Sequence, residues 1–455
     1  MRRDLSVLNV VALEVLKLQP MTMSDAPAKI YAIAYLMNMQ GTMLSEAPWA
    51  DTVGTHRHKN TSLDVATGRS RRKGKKHSII KASKTRAAQA LPRMLIKFDE
   101  PEQKMHYLPR TMDNWPWPRA INPYYKDISA QSDAWFHGFK AFNEKSQRRL
   151  ASLAYPLATK EQLRTGCDLM NLFFIVDEYT DVEPAHVVRE MVDIVIDALN
   201  NPDKPRPEGE ILLGELTRQF WDRGRKTATP SAAMHMVESL TAYLNSCVEQ
   251  AADRDNNRYR TVDEYLKNRR ENVGIRPSFV PMALAMDFPD RVFHHPVIVE
   301  LSIYIADLII LDNDIVSYNR EQATGDDRHN ILTIVMRQFG LDLDGALEWV
   351  AQYHEEVQTR FLDGLKRVPS WGGEIDKNME VYINGLGNWP RCNDCWNFES
   401  GRYFGKKGPE FQKTRWVPLL PKVAELQDPA AKAKKENIVI PMFFDSVDTE
   451  EQTDT

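Results

Sequence analysis

From about Asp127 to Leu420, apolar residues recur at the three-to-four-residue spacing of amphipathic helices, and strand-like alternation is almost absent. The pattern predicts helices over about 127–147, 160–177, 184–200, 209–224, 230–254, 261–272, 291–321, 328–337, 343–366, 372–386 and 390–404, with ends placed to about 2–4 residues. Proline-rich breaks such as Asn201-Pro-Asp-Lys-Pro-Arg-Pro207 separate them. The longest apolar run, Val297 to Leu311, is interrupted by Glu300, Ser302 and Asp307. It falls short of the roughly 20 residues that span a bilayer, so it reads as a buried core helix with no stable membrane insertion. Ahead of the helices, Trp115-Pro-Trp-Pro-Arg119 and Ile121-Asn-Pro123 form an entry that regular helix excludes. Ten or more helices in about 330 residues, with no repeat period, predict one all-α domain.

Composition changes this picture only when the chain is divided. The 455 residues carry a formal net charge of -4. Residues 1–93 hold 16 Lys+Arg against 6 Asp+Glu, a net of +10, while the remaining 362 residues hold 43 against 57, a net of −14. Residues 1–93 therefore read as a basic, disordered extension, with Arg69, Arg71, Arg72, Lys73, Lys75 and Lys76 crowded together. Residues 94–440 read as the folded domain and 441–455 as an acidic tail. An acidic body argues against nucleic acid as its main partner, because phosphate binding needs clustered positive charge. Cys167, Cys247, Cys392 and Cys395 are too scattered for a disulfide scaffold or a four-ligand zinc site, and read as reduced thiols of a cytoplasmic protein. Arg2 and Arg3 precede an apolar stretch from Val7 to Leu16, but Glu14 interrupts it and no clean cleavage site follows.

Two clusters carry candidate chemistry. In Asp177-Glu-Tyr-Thr-Asp181 the aspartates stand one turn apart, where an apolar helix face that includes Met170 and Phe173 ends. Acids at a helix C-terminus oppose its partial negative charge, so something positive must offset them. Hard oxygen donors of this kind suit Mg²⁺, although the pattern alone arises by chance in roughly a third of chains this long. The second cluster ends the most apolar helix: Asn313, Ser317 and Glu321 fall at i, i+4 and i+8, lining up an amide oxygen, a hydroxyl and a carboxylate on one face. Such a triad can chelate one Mg²⁺ and leave positions open for phosphate oxygens. A polyanion between two acidic sites calls for cationic partners. Arg269-Arg270, before Gly274, and Arg402-Tyr403 supply candidates whose planar forks suit phosphate.

In this order these motifs resemble those of the class I terpene synthases, over the stretch from about Leu108 to Phe404. Finer texture in Trp115-Pro-Trp-Pro-Arg-x-Ile-Asn-Pro123, Gly166-Cys-Asp-Leu-Met-Asn-Leu-Phe-Phe174 and Gly325-Asp-Asp-Arg-His-Asn-Ile-Leu332 is similar to basidiomycete sesquiterpene synthases. Within that group, Leu163 to Val182 resembles the protoilludene synthases. The resemblance implies an α-helical barrel open at one end, three Mg²⁺ ions as cofactor and farnesyl diphosphate as substrate. It implies that Asp177, with Asp181 beside it, holds two ions and that Asn313, Ser317 and Glu321 hold the third. It further assigns Arg270 to sensing the diphosphate, Val273 to a linker position, the Gly274 carbonyl to promoting ionisation, and Arg402 and Tyr403 to closing on the diphosphate. One departure is a segment between Phe142 and Tyr155 shorter than in relatives, which implies an altered cavity or loss of activity.

Ionisation of the allylic diphosphate leaves a cation in a dry pocket, which aromatic faces attract by roughly 0.5–2 kcal/mol each. Phe173, Phe174, Trp396 and Tyr403 are lining candidates, and each also fits a core position. A protoilludene-type product follows 1,11-closure to a humulyl cation, contraction to a tricycle and proton loss. Two other readings share parts of the pattern. A helical prenyltransferase carries a second aspartate-rich motif where this chain has Asn313, Ser317 and Glu321, and a non-enzymatic helical protein with a nucleic-acid-binding basic arm accounts for residues 1–93 alone. The sequence leaves the exact product and the oligomeric state open.

Overall fold

The computed structural model describes residues 104–139 and 148–423, all within the unit Gln103–Thr455. The basic extension at 1–93, the acidic tail at 441–455 and residues 143–147 of the short segment after Phe142 lie outside the described residues, while the rest of that segment is described.

The described chain is helical apart from one pair of short strands, the all-α architecture that the periodicity predicts. Strand β1 (Met105–Tyr107) is followed by helices α1 (Tyr125–His137), α2 (Arg148–Ala154), α3 (Lys160–Thr180), α4 (Ala185–Asn200), α5 (Leu212–Gly224) and α6 (Pro230–Asp255). Then come α7 (Val262–Asn272), α8 (Ile275–Ala283), α9 (Asp290–Phe293), α10 (Pro296–Thr324), α11 (Ile331–Phe339), α12 (Leu343–Leu365), α13 (Gly373–Glu399), α14 (Gly408–Thr414) and strand β2 (Trp416–Pro418). No described helix is long and apolar enough to cross a membrane.

The starts of the site-bearing helices are set by local chemistry. Thr159 and Gln162 close a capping box on α3, and Thr261 and Glu264 close another on α7, each satisfying backbone donors that a helix start leaves free. Helix α6 begins with Thr229 as cap and Pro230 in its first turn; α10 begins with the His295 cap and Pro296 and ends at Gly325 in the left-handed region. Helix α10 is buried along most of its length and packs against α7, α12 and α13, so the chain's most apolar run becomes its central post. Around it, α3, α6, α7, α8 and α13 form the wall of a cavity.

Several elements differ from expectation, among them α2 and α14, which no expected stretch covers. The break expected between 386 and 390 is absent, because α13 runs unbroken through Pro390, while the stretch 291–321, expected to be continuous, splits into α9 and α10 at His294-His295. Pro390 contributes no N–H to α13, but the tryptophan-rich entry holds the helix there. Trp115 Nε1 donates to the Gly387 carbonyl at 2.8 Å, Trp117 Nε1 to Asn384 at 2.7 Å, and Arg391 donates to the carbonyls of Met112 and Trp117. Helix α8 falls outside the expected set, because Pro277 and Pro281 lie in it; all nine of its residues except Arg276 are buried, and tertiary burial overrides propensity. The strands are too short to show alternation. They pair antiparallel, Met105 with Pro418 and Tyr107 with Trp416, joining the entry to the end of the described chain. Asn319 on α10 fastens the same region by donating to the Pro418 carbonyl and accepting from the Leu420 amide.

Candidate active site

The helices enclose a cavity of about 840 Å³. Asp177 and Asp181 from the end of α3 line it together with Asn313, Ser317 and Glu321 from α10. The two oxygen-rich clusters, more than 130 residues apart in sequence, therefore face one space.

The offset required at the acidic end of α3 comes from Arg254 on α6, whose Nη2 donates to the carbonyls of Thr180 and Glu183 at 3.0 and 2.6 Å. Tyr243 gives its hydroxyl to Asp177 Oδ1 at 3.0 Å. Burial raises the Asp177 pKa. Burial, then the Asp177 charge, raises that of Asp181 to about 7. Asp181 is open to solvent at the cavity mouth, which screens the rise, so its direction carries the point. Burial, then Asp314, raises Glu321 to about 7 as well. Carboxyl groups gathered so that they resist ionising favour a cation among them.

On the opposite cluster, Asn330 is the organiser that sequence reasoning missed. Its Oδ1 caps α11 by accepting from the Leu332 amide at 2.9 Å. Its Nδ2 reaches Glu321 Oε2 at 2.9 Å, the Asp314 carbonyl at 2.9 Å and Ser317 Oγ at 3.4 Å. Asn330 stands inside the 325–332 motif, but nothing in its spacing points across to α10. Asp314, next to Asn313, turns into the protein, where Tyr265 and the Ile331 amide hold its carboxylate.

The structure departs from the expected register at Arg270 and Gly274. Arg270 is held by Asp307 through two bonds of 2.7 and 2.8 Å and does not line the cavity; Arg269 does. Arg269 donates to Asn313 Oδ1 at 3.1 Å and to Asn272 Oδ1 at 3.0 Å, and lies 3.6 Å from Asp314. Burial opposes its charge, but Tyr265, Asp314, Glu321 and Asp177 outweigh burial and hold its pKa above the usual arginine value. The Gly274 carbonyl accepts from Ser278 at 2.7 Å, and Gly274 does not line the cavity, whereas Asn272 and Val273 do. Gly274 serves geometry instead: its φ of +69° suits glycine, and a Cβ there would meet the Phe173 ring at 3.3 Å. The residues of this stretch that line the cavity are therefore Arg269, Asn272 and Val273.

Arg402 and Tyr403 line the cavity as expected. Asn313 Nδ2 donates to Tyr403 Oη at 2.8 Å, and the Arg402 guanidinium lies over the Phe174 ring at 4.8 Å. The Nε atoms of both Arg269 and Arg402 are buried without hydrogen-bond partners. Orphaned guanidinium donors beside five oxygen donors fit a site that holds cations and a polyanion together. The four aromatic candidates, Phe173, Phe174, Trp396 and Tyr403, all line the cavity, joined by Trp389 and Tyr243, which sequence reasoning did not single out. Phe173 meets Tyr243 edge-on at 4.7 Å, and Trp396 meets Tyr403 edge-on at 5.8 Å. The four cysteines are buried and free.

Residues 168–360 match the family model described as "Terpene synthase family 2, C-terminal metal binding". The chain is 66% identical over 345 residues to sesquiterpene synthase 14 of Postia placenta, covering 74% of this chain and 97% of that protein. It is 58% identical to Delta(6)-protoilludene synthase 18 of the same fungus, over 70% of this chain and 93% of the relative. Against the Delta(6)-protoilludene synthase of Armillaria gallica it is 49% identical, over 70% and 94% of the two chains. Among solved structures, a single-substitution variant of cucumene synthase superposes with a TM-score of 0.57 at 22% identity, covering 64% of this chain and 99% of that one. Linalool/nerolidol synthase from Streptomyces clavuligerus gives 0.55 at 18% identity, over 62% and 98%. The fold is that of the terpene synthases, and the chain belongs to the basidiomycete sesquiterpene synthase family, enzymes that are terpene cyclases.

Proposed function

We propose that the protein ionises farnesyl diphosphate in the presence of Mg²⁺ and cyclises the farnesyl cation by 1,11-closure, through a humulyl cation, to a tricyclic hydrocarbon such as Δ6-protoilludene. The observation that carries this reading is a single cavity with oxygen ligands from two helices and free guanidinium donors, and with aromatic rings lining it as well. The protoilludene synthase names of two relatives support the product class.

In this reading Asp177, with Asp181 beside it, and the Asn313, Ser317 and Glu321 triad hold Mg²⁺, with three ions in all. Bound Mg²⁺ supplies positive charge that offsets the negative charge developing on the departing diphosphate. Arg269, oriented by Asn272 and Asn313, meets the diphosphate in place of Arg270. Arg402 and Tyr403 bond it from the α13 side. The allylic carbon–oxygen bond breaks heterolytically, the electron pair leaves with diphosphate, and no protein nucleophile takes part. Phe173, Phe174, Trp396 and Tyr403 face the cation with π-density, which attracts it without trapping it. The last step is loss of a proton, for which the departed diphosphate is an acceptor. Residues 94–440 form the catalytic domain and act on a small molecule in the cytoplasm, where four buried free thiols fit a reducing compartment.

The test compares wild type with Asn313→Ala for volatile products and for diphosphate release from farnesyl diphosphate with Mg²⁺. A loss of at least about 100-fold in kcat/KM is expected, since this amide orders both Arg269 and Tyr403 and donates a ligand oxygen. Equal product formation by the two proteins would overturn the assignment.

A further inference from the structure

Away from this cavity, the start of α6 and the short helix α9 bring three metal-ligating side chains together. Donor atoms of His235, Asp290 and His294 lie within 4.8 Å of one another. None of the three lines the catalytic cavity. Asn313 lies 17 residues into α10 from Pro296, about 25 Å along the helix at its usual rise. His294, just before Pro296, therefore stands near the end of α10 remote from the catalytic ligands.

The sequence sets this arrangement locally. Asp290 and His294 are an i, i+4 pair held one turn apart by the bond from the His294 amide to the Asp290 carbonyl at 2.8 Å. Phe293, between them, stacks on the His235 ring with centroids 3.8 Å apart and planes 9° from parallel. That stack fixes the imidazole so that its edge faces the pair, with His294 edge-on at 5.3 Å. Burial, then His294, holds the His235 pKa below its usual value, which keeps the ring a neutral lone-pair donor.

A second observation points to a ligand. The His235 side chain is only 4% exposed, and its Nε2 has no hydrogen-bond partner. Asp290 Oδ1, at 3.5 Å, is too distant to satisfy it. A buried polar atom left unpaired asks for an occupant. Adjacent donors around a tetrahedral Zn²⁺ at the usual ligand distances stand roughly 3.3 Å apart. The His235–Asp290 separation is already close to this. The Asp290 and His294 side chains, 69% and 42% exposed, have room to swing in. Glu238, one turn beyond His235, brings Oε2 to 3.7 Å from His294 Nε2 and its Oε1 to 3.6 Å from Arg276, so it stands beside the cluster.

We propose that His235, Asp290 and His294 bind one divalent transition ion of the Zn²⁺ class, separate from the catalytic ions, and that it ties α6 to the connection between α8 and α10. Two imidazoles and one carboxylate select such an ion over Mg²⁺, which prefers all-oxygen sites. The proposal stands whether or not the cyclase reading holds, because it uses none of the same residues.

The experiment uses the full-length protein, stripped by chelation and titrated with Zn²⁺ in millimolar Mg²⁺, with binding followed by calorimetry and stability by melting temperature. Wild type is expected to bind one Zn²⁺ at this site and to melt about 3–5 °C higher at a hundredfold excess over Kd. His294→Ala and Asp290→Ala, both at exposed side chains, are expected to lose that equivalent and the shift while folding normally. Asn313→Ala is expected to keep both. Absence of a tight Zn²⁺ equivalent in wild type overturns the site. So does an equivalent that survives in both His294→Ala and Asp290→Ala, because it belongs to other ligands, such as His56, His58 or His77. Loss of the equivalent in Asn313→Ala overturns it too, because the ion then belongs to the catalytic cavity.

Discussion

Adjacent residues on an α-helix point about 100° apart, and Arg269 and Arg270 therefore do different work. Arg269 faces the ligand cluster, whereas Arg270 neutralises Asp307, whose side chain is 2% exposed. Arg269→Ala should cut kcat/KM by about 100-fold or more, because it removes a charged donor aimed at the diphosphate, and should lower melting less than Arg270→Ala, because Tyr265 and the Ile331 amide still hold Asp314. Arg270→Ala should do the reverse, destabilising by about 3 kcal/mol through a buried, unpaired Asp307, which thermal or urea unfolding will measure. Equal loss of activity in both variants with no difference in stability contradicts this division. The sequence makes two arginines legible before Gly274 but not which one faces inward, since that depends on the helix phase that the α7–α8 junction sets. The carboxylates and the Asn313, Ser317 and Glu321 ligands were legible because each set repeats on one helix face. Asn330 was not, since its partners lie on another helix. Asn330→Asp keeps the oxygen that caps α11 and loses the donor to Glu321. It should raise the Mg²⁺ concentration needed for half-maximal activity about tenfold, and Asn330→Ala should in addition lose about 1 kcal/mol of stability.

At the scale of elements, the buried middle of α10 is readable from pattern, whereas its start at Pro296 and its stop at Gly325 fall inside and beyond the expected 291–321. Helices α8 and α13 are its opposite. Both contain prolines that argue for breaks, and both persist because neighbouring segments hold them. In α13 the holder is the entry segment, and its fit depends on Gly387: a Cβ there would come within 2.1 Å of the Trp117 ring. Gly387→Ala should therefore destabilise by about 2 kcal/mol, seen as a lower melting temperature, and loosen the helix that carries Trp389, Asn393 and Trp396 into the cavity. A melting temperature equal to wild type would show that the entry segment does not clamp α13.

For the whole molecule, the acidic body acquires a local meaning at the cavity. Burial raises the folded-state pKa of Asp181, and that of Glu321 to about 7, against about 4 in an unfolded chain. Between those limits the metal-free folded state retains protons that the unfolded state has released. Stability from these groups is thus greatest below about pH 4 and declines as pH rises towards 7. Melting in a chelator should reveal this decline between pH 5 and pH 8, and Glu321→Gln should flatten it; a decline of the same slope in the variant contradicts the origin assigned here. Divalent metal, by favouring the ionised form, should oppose the decline as well.

The most direct test of the central claim is gas chromatography–mass spectrometry of the purified full-length protein incubated with farnesyl diphosphate, with Mg²⁺ and with chelator. A tricyclic sesquiterpene hydrocarbon formed only with Mg²⁺, with protoilludene as the main peak, is the predicted result. Linear alcohols alone, a longer prenyl diphosphate, or no turnover with Mg²⁺ present would contradict the account.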